Sequence, residues 1–375
     1  MKKNFIFNCA LLLSICNCSI VHAQTQVRSM THDGITRSFR VHLPPAFDTC
    51  LHVPLVFNLH GLGSNGMQEE LYTQFSNVAD TGKFIAVYPD AISNEWNING
   101  SGVDDVGFIQ AMIDTLYAEF RIDRNKVYSC GMSMGGYMSY RLACELTDHI
   151  AAIVSVTGLL ATVPCNPARP IPVMQIHGTD DPTVPYSGVP QTISSWVQKN
   201  NCPQTPVVTQ LPDIDPNDST TVTMTHYAPC DDSTEVILYT VNGGGHTWPD
   251  AFINIGVTTG DINASNIIWN FFKKYELAAY PLVTPCDSLT SGGNVVKNLS
   301  AFRVRYVSEM RQIRIESASN ESYTITLFDA LGRSAETFSG EKQTLIPFML
   351  PSSGIYYYVI QSASGVMEKG KIAVY

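Results

Sequence analysis

The chain has 375 residues, of which 45% are hydrophobic and 15% charged, and its formal net charge is −10. This length allows one large domain and one small domain, with a sizeable core in the former. An acidic balance argues against binding to nucleic acid or to an anionic membrane surface. A polyanionic partner is therefore not expected.

The first 23 residues have the parts of a secretory signal peptide. Lys2 and Lys3 form a positive region, an apolar stretch follows over 5–21, and Val21-His22-Ala23 resembles a cleavage site. A transmembrane anchor is the alternative, but Asn and Ser residues interrupt this stretch, which is short for a bilayer span. We expect a protein without a membrane span that is exported through the periplasm and is then secreted or held at the cell surface.

Seven cysteines follow residue 23, so one should stay unpaired in an oxidising compartment. Cys130 is the candidate, because it ends an apolar strand-like run where a small buried thiol packs well. Cys202 and Cys230 bracket a loop rich in Pro, Asp and Thr and form the preferred disulfide. The other pairings considered are Cys144 with Cys165 and Cys50 with Cys286, although spacing alone does not determine connectivity.

Short β-branched runs alternate with helical patterns between residues 38 and 275. The predicted strands are 39–43, 54–60, 84–88, 127–130, 152–156, 173–177 and 236–241. Apolar residues three and four positions apart predict helices over 106–120 and 268–275. Continuous apolar strands that alternate with helices are typical of an α/β protein with a mostly parallel sheet and helices on both faces.

The stretch Gly131-Met132-Ser133-Met134-Gly135 matches the G-x-S-x-G motif and has the required context. An apolar strand precedes it, and a helix-compatible run, 136–146, follows. A serine on such a sharp turn has a strained backbone, and neighbouring glycines let the turn close. Ser129 falls within the strand and Ser139 within the helix, so Ser133 is the predicted nucleophile.

A serine nucleophile needs a base that is itself oriented by a carboxylate. When this motif is used, the chain order is Ser, then Asp or Glu, then His, each after a later strand. Asp180 and Asp181 follow one strand in "VMQIHGTDDPTVPY", and His246 follows another in "VILYTVNGGGHTWPD". An Asp before Pro can merely form a turn, and a lone His is often structural, but their joint order favours a triad. Spacing leaves open which aspartate takes part.

The same reasoning predicts the remaining groups of the site. The backbone amide of Met134, at a helix N-terminus, should be one oxyanion donor, and the amide of Leu62 in "LHGLGSN" the second.

Activity is expected to fall below roughly pH 6, as the His246 base gains a proton. The aromatic residues that could line the acyl or sugar site are Trp96, Tyr186 and Trp248, although buried packing is the commoner role.

No metal or cofactor is expected. The acidic stretch "DIDPND" (213–218) begins like a calcium loop but has Asp218 and Met224 where glycine and glutamate are required. The sequence contains neither H-E-x-x-H nor a phosphate-binding glycine loop.

Several of these motifs resemble the secreted α/β-hydrolase esterases that include polyhydroxybutyrate depolymerases and feruloyl and acetylxylan esterases. The matching stretches, between about residues 35 and 275, are "LHGLGSN", "VDDVGFIQAMIDTL", "VYSCGMSMGGYMSYRLACEL", "AAIVSVTG", "IHGTDDPTVPY" and "GGGHTWPD". The resemblance implies an α/β-hydrolase fold over 24–282, selects Asp181 over Asp180 and also favours Cys202 with Cys230.

The function that this resemblance implies is a serine carboxylic-ester hydrolase (EC 3.1.1 type). Feruloyl or acetyl esters of plant polysaccharide are the favoured substrates, and a polyhydroxybutyrate polyester is the alternative. The same groups could serve a secreted serine peptidase, because acyl-transfer chemistry does not by itself distinguish ester from amide. A non-catalytic surface protein is a further alternative.

Composition changes after the hydrolase region. A stretch rich in Ser, Gly and Asn, 283–300, is typical of a linker, and the alternating strands beyond it predict a small β-sandwich over 301–375. "TLFDALGR", "LPSSGIYYYVI" and "KGKIAVY" resemble the type A sorting domain of the type IX secretion system of Bacteroidetes. The resemblance implies the type IX secretion machinery as a partner; a spacer or a carbohydrate-binding module is the alternative.

Overall fold

The structure is a computed structural model that describes residues 24–45, 47, 52–161 and 164–280, and seven strands between 302 and 374. Internal contacts divide the chain into two compact units, Met1–Ser288 and Leu289–Tyr375. The predicted signal peptide and the predicted linker lie outside the described residues.

A ten-stranded sheet forms the centre of the first unit. Its strands are β1 (Gln24–His32), β2 (Ile35–Leu43), β3 (Leu55–Leu59), β4 (Ile85–Pro89), β5 (Val127–Met132), β6 (Ala152–Val156), β7 (Val173–Gly178), β8 (Val207–Gln210), β9 (Thr221–Tyr227) and β10 (Val236–Asn242). Their order is β1-β2-β4-β3-β5-β6-β7-β10-β9-β8. The six central strands, β4, β3, β5, β6, β7 and β10, are parallel to one another. The strands on either side of them, β1 and β2 at one edge and β9 and β8 at the other, pair in antiparallel fashion. Because parallel strands end at one edge, the segments that follow β3, β5, β7 and β10 meet there.

Six α-helices accompany this sheet in the part of the chain that the structure describes. They are α1 (Gly66–Thr73), α2 (Phe75–Gly82), α3 (Asp105–Phe120), α4 (Met134–Glu145), α5 (Val189–Lys199) and α6 (Ala264–Phe272). The side chains of Asn65, Asp104 and Asn263 cap α1, α3 and α6 by accepting hydrogen bonds from first-turn amides. None of these helices combines the length and the hydrophobicity that a bilayer span requires.

Two hydrophobic clusters cover the two faces of the sheet, and strand β3 shows the division. Leu55 and Phe57 pack in one cluster with residues of α3, α4 and α5, whereas Val56 packs in the other with residues of α2 and α6. All five residues of β3 are buried. Burial on both faces explains why the central strands are continuous apolar runs rather than alternating ones.

All seven strands predicted for this unit are present, with ends that differ by at most four residues, and α3 matches the predicted apolar stripe. The predicted helix 268–275 corresponds to α6, which begins at Ala264 and ends at Phe272. The edge strands β1 and β8, and β9 next to β8, were not predicted. Strand β8 is exposed along its whole length and β9 is mostly half-buried, so neither carries an apolar run.

The second unit contains two antiparallel sheets. Strands β11 (Phe302–Val307), β12 (Gln312–Ser317) and β15 (Gln343–Pro347) form one sheet; β13 (Ser322–Phe328), β14 (Ser334–Glu341), β16 (Gly354–Ser362) and β17 (Met367–Val374) form the other. Ile313 and Ile315 of β12 share a core with Ile325 and Leu327 of β13. Residues from two sheets that meet in one core form the predicted small β-sandwich.

The cysteines of the first unit follow the predicted pattern where they are described. Disulfides join Cys202 with Cys230 and Cys144 with Cys165, and Cys130 is a free, buried thiol. The third pairing considered, Cys50 with Cys286, lies outside the described residues.

Candidate active site

Ser133 lies at the sharp turn between β5 and α4. Its backbone has φ 54° and ψ −119°, a positive-φ conformation that is strained by about 1–3 kcal/mol for a residue with a side chain. The Ser133 amide donates to the carbonyl of Val156 (2.8 Å), and the Ser133 carbonyl accepts from the amide of Tyr137 (3.0 Å). The next strand, β6, and the first turn of α4 therefore hold the strained turn in place.

The two glycines of the motif allow this turn to pack against the end of β3. A Cβ atom on Gly131 would lie 2.5 Å from the carbonyl oxygen of Leu59, and one on Gly135 would lie 1.9 Å from the same oxygen. Both distances are far inside van der Waals contact, so no larger residue fits without moving the backbone. The glycines are thus needed for close approach of β3, β5 and α4.

Asp181 and His246 are brought together from the loops after β7 and β10. The Nδ1 atom of His246 lies 2.7 Å from Oδ2 of Asp181, and the other oxygen of Asp181 accepts from the amides of Thr183 and Val184, both at 2.8 Å. Burial alone would raise the pKa of Asp181, but hydrogen bonds from His177, His246 and these amides hold it well below its usual range. Asp181 is therefore an ionised carboxylate that accepts a hydrogen bond from Nδ1–H of His246.

A second histidine, His177 at the end of β7, supports the same carboxylate. Its Nε2 atom lies 2.8 Å from the carbonyl of Val184 and 3.4 Å from Oδ2 of Asp181, and its Nδ1 lies 2.9 Å from Nε2 of Gln175. Because the Gln175 amide donates to Nδ1, the proton of His177 is on Nε2 and faces the two oxygens. The Tyr140 hydroxyl in turn donates to Oε1 of Gln175 (2.6 Å). This buried chain fixes where Asp181 sits.

The loop after β3 carries Gly61 and Leu62, and His60 determines its orientation. Nδ1 of His60 donates to the carbonyl of Gly61 (2.7 Å), while its Nε2 accepts from the amide of Ala91 (3.0 Å). Burial lowers the pKa of His60, which keeps this ring neutral. A carbonyl and the following N–H point in opposite directions in a trans peptide. The hydrogen bond to Gly61 therefore also fixes the direction of the Leu62 amide.

Ser133 and His246 line one cavity of about 580 Å³, which we call the Ser133 cavity. Its lining residues are Gly61, Leu62, Ser64, Gln68, Glu69, Leu71, Tyr72, Met132, Ser133, His246, Ile253 and Ile255. This volume falls in the range of small-molecule sites. The amide of Met134 starts α4, where N–H groups lack helical acceptors, and Leu62 lies on the opposite loop. The cavity lining thus combines a hydroxyl, an imidazole and one candidate oxyanion donor, Leu62; the other candidate, Met134, follows Ser133 directly and is not among the lining residues.

The three aromatic residues that were predicted to line the site have polar partners away from the lining of the Ser133 cavity. Trp96 and Trp248 are fully buried, and their indole N–H groups donate to the carbonyl of His60 (3.0 Å) and to the hydroxyl of Ser265 (3.1 Å). The hydroxyl of Tyr186 is 2.7 Å from that of Thr240. Burial of an aromatic body with a paired polar end explains these positions, and none of the three is among the residues that line the Ser133 cavity.

Three buried polar residues at the site were not identified from sequence: His60 and His177, which support it, and Glu69, which lines the cavity. For His177 a signal existed, since Gln175 and His177 interrupt a strand in which every residue is buried. Buried polar side chains require partners, so two of them in one buried strand indicate a hydrogen-bond network. Glu69 has no such signal, because adjacent glutamates in a short helix are usually solvated.

A possible set of metal ligands lies on the surface, away from this cavity. His32, Asp33 and Asp104 place one ligand atom each within 4.8 Å of one another. Asp104, however, already accepts hydrogen bonds from the amide of Gly107 (2.9 Å) as the cap of α3, and it lies 3.1 Å from His32. Helix capping accounts for the position of Asp104 in this group.

Residues 104–211 match the Phospholipase/Carboxylesterase family. The chain is 29% identical to the putative esterase NocK of Nocardia uniformis subsp. tsuyamanensis, across 61% of this chain and 76% of that protein. It is 26% identical both to the bifunctional acetylxylan esterase/xylanase XynS20E of Neocallimastix patriciarum and to feruloyl esterase B of Piromyces equi. The chain spans only 35% and 46% of the lengths of these two relatives.

Among solved structures, the chain is similar to an acetyl xylan esterase from Aspergillus awamori, with a TM-score of 0.50 and 16% identity. The match covers 66% of this chain and 99% of that one. The predicted α/β-hydrolase fold is confirmed by this similarity together with the sheet order. The prediction of an enzyme of the esterase type is confirmed by the family match and by relatives that are named as esterases.

Proposed function

We propose that this chain hydrolyses carboxylic esters with Ser133 as nucleophile, His246 as base and Asp181 as the residue that orients the base. The observation that carries the proposal is the shared cavity: Ser133 and His246 both line it, and His246 is paired at 2.7 Å with a buried carboxylate. A hydroxyl becomes an effective nucleophile only when an oriented base removes its proton.

In the proposed reaction, Oγ of Ser133 bonds to the ester carbonyl carbon as Nε2 of His246 takes the hydroxyl proton. The amides of Leu62 and Met134 hold the resulting oxyanion. When the oxyanion collapses, the alkoxide leaves with the proton from His246, and an acyl-serine remains. Water then attacks the acyl group, again with His246 as base, and releases the acid and Ser133.

For substrates, we propose feruloyl or acetyl esters carried by plant polysaccharide. Two relatives are named for such activities, acetylxylan esterase/xylanase and feruloyl esterase. A cavity of about 580 Å³ also has room for more than an acetyl group. Methyl ferulate, acetylated xylan and a hydroxybutyrate polymer, compared at equal enzyme concentration, test this choice; faster release of acid from the polymer would overturn it.

We further propose that the enzyme works outside the cytoplasm and that the second unit directs its export through the type IX system. The two disulfides support an oxidising compartment. Fusion of residues 289–375 to a reporter in a Bacteroidetes host tests the sorting role. A reporter that stays in the periplasm would refute it.

The test of the catalytic assignment is Ser133→Ala. We expect loss of hydrolysis of a p-nitrophenyl ester and loss of labelling by a fluorophosphonate, with an unchanged melting temperature. Ser139→Ala is the matched control, because Ser139 is buried in α4 and bonds to the carbonyl of Gly135, away from the cavity. Substantial turnover by folded Ser133→Ala would reject the proposal.

A further inference from the structure

Tyr72, on α1, lines the Ser133 cavity but has no part in the proposed reaction. Its side chain is half-buried, and its ring packs against the hydrophobic cluster that contains Trp248. The hydroxyl oxygen of Tyr72 accepts a hydrogen bond from the backbone amide of Trp248 (3.0 Å). Because Trp248 comes two residues after His246, this bond places the end of the Tyr72 side chain beside the loop that carries the proposed base.

A second hydrogen bond joins Tyr72 to the same loop. The carbonyl of Tyr72 accepts from the backbone amide of Phe252 (3.2 Å), and the next residue, Ile253, also lines the cavity. Two bonds from one residue to one loop leave α1 and this loop little freedom to move apart. The Tyr72 hydroxyl is therefore held in place before a ligand binds, which lowers the entropy that a specific contact costs.

The proton of the Tyr72 hydroxyl has no acceptor within the described part of the chain. A phenol hydroxyl can donate one hydrogen bond as well as accept, and the bond from Trp248 uses only its capacity to accept. The hydroxyl of Tyr128, by contrast, donates to the carbonyl of Tyr275 (2.6 Å). Burial raises the pKa of Tyr72, so its oxygen keeps the proton at neutral pH. Tyr72 thus has an unused donor at the wall of the cavity.

Gln68 supplies a second unused donor one helical turn earlier. Residues four positions apart lie on the same face of a helix, and both Gln68 and Tyr72 line the cavity. The hydroxyl of Ser64 donates to Oε1 of Gln68 (3.0 Å), whereas the NH₂ group of Gln68 has no acceptor among the described residues. Through these two side chains, α1 offers the cavity hydrogen-bond donors.

We propose that Tyr72 is a specificity-determining residue that donates a hydrogen bond to an oxygen atom in the alcohol part of the bound ester. This inference rests on the proposed function, because it assigns the contact to the substrate of Ser133. His246 has to reach the ester oxygen in order to protonate the leaving alcohol, and the Tyr72 hydroxyl is bonded to the loop of His246. Esters of alcohols that carry further oxygen atoms, such as sugars, are therefore preferred to esters of hydrocarbon alcohols.

Two acetate esters that differ in one ring atom test the inference. Tetrahydrofurfuryl acetate has an ether oxygen where cyclopentylmethyl acetate has a methylene group. The measured quantity is kcat/KM for the ether ester divided by kcat/KM for the hydrocarbon ester, which we call the ether ratio. We expect Tyr72→Phe to lower the ether ratio roughly fivefold, equivalent to about 1 kcal/mol, the contribution of one neutral hydrogen bond. The intrinsic reactivities of the two esters cancel when the variant is compared with the wild type.

The ether ratio separates a contact with the substrate from a purely structural role of the hydroxyl. If the hydroxyl only anchors the loop, Tyr72→Phe lowers kcat/KM for both esters equally and leaves the ether ratio unchanged. Tyr72→Phe keeps the ring that packs in the core, so we expect it to fold, which a melting curve checks. The matched control is Tyr128→Phe, which removes a hydroxyl bonded to a backbone carbonyl and should keep the wild-type ratio, because Tyr128 is not a lining residue.

A second pair, 2-methoxyethyl acetate and butyl acetate, places the ether oxygen on a flexible chain. A fall of the ether ratio in either pair supports the inference, and ratios within about twofold of the wild type in both pairs would overturn it. Failure of the proposed function gives a different result: the wild-type protein hydrolyses none of the four esters, or folded Ser133→Ala still hydrolyses them. Normal turnover with unchanged ether ratios would reject the role of Tyr72 and leave the proposed function intact.

Discussion

Replacing Asp181 by Asn tests whether this carboxylate sets the protonation of His246. One oxygen of Asp181 accepts from the amides of Thr183 and Val184, both at 2.8 Å, and the other faces His246. An Asn side chain keeps the two backbone bonds only if its oxygen takes the first position. Its NH₂ group then points at Nδ1 of His246 and turns that atom into an acceptor.

The expected loss follows from the resulting tautomer. If Nδ1 of His246 accepts, its proton moves to Nε2, which can no longer take the proton of Ser133. In a serine protease triad the same replacement lowers kcat about 10⁴-fold, equivalent to about 5.5 kcal/mol. The new NH₂ group also faces Nε2–H of His177, which lies 3.4 Å from the present oxygen. Two donors that face each other should lower the free energy of unfolding by about 1–3 kcal/mol.

The assay is steady-state hydrolysis of a p-nitrophenyl ester, with fluorophosphonate labelling of the same samples. Asp180→Asn is the matched control, since Asp180 is exposed and, within the part of the chain that the structure describes, its side chain accepts only from the hydroxyl of Thr179 (3.0 Å). We expect Asp180→Asn to keep wild-type kcat. If Asp181→Asn retained more than about one tenth of wild-type kcat while folded, the tautomer argument would be wrong.

Three further substitutions test the support of the site. His60→Ala frees the loop that carries the Leu62 amide. It should lower kcat toward the hundredfold to thousandfold loss that follows removal of an oxyanion donor, with a smaller effect on KM. A change in KM alone would contradict this role. Gly135→Ala places a methyl group 1.9 Å from the carbonyl of Leu59 and should destabilise the fold by about 3 kcal/mol or more in a denaturant melt, whereas Gly245→Ala, with no contact closer than 3.6 Å, should not. Because burial raises the pKa of Glu69, the folded chain binds its proton more tightly than the unfolded chain does, and the free energy of unfolding falls as pH rises above about 4.3. Glu69→Gln cannot lose this proton, so its stability advantage over the wild type should be larger at about pH 8 than at about pH 4. Equal advantages at the two pH values would refute the burial argument.

The positions of three candidate site residues, Ser133, Asp181 and His246, could be predicted because each depends on the local sequence at the end of a strand. Ser133 sits in a strand-turn-helix motif with two glycines, and Asp181 and His246 each follow a continuous apolar strand. In a parallel sheet, strand ends meet at one edge, so local assignments to strands also place these residues together. The exception was the choice between Asp180 and Asp181, which needed a family pattern.

The supporting groups could not be predicted in the same way, because their roles arise from packing across the sheet. His60 orients its own loop only because the amide of Ala91, thirty-one positions away, holds its other nitrogen. Trp96 and Trp248 were expected at the substrate and are buried, since an aromatic next to a motif is placed by the volume that it fills. Neither contact can be inferred from the spacing of residues in the sequence.

Two unfavourable features of the first unit coincide in one cavity. The turn at Ser133 is strained by about 1–3 kcal/mol, and the unpartnered oxygen of Glu69 adds a similar destabilisation. Folding alone would favour their removal, yet the carboxyl groups of Asp181 and Glu70, which are also partly enclosed, accept hydrogen bonds at both oxygens. Destabilising features that persist at one place are typical of a site that binds and reacts. The strain at Ser133 fits its proposed role as the nucleophile, because a positive-φ turn between strand and helix is the conformation that the G-x-S-x-G motif requires.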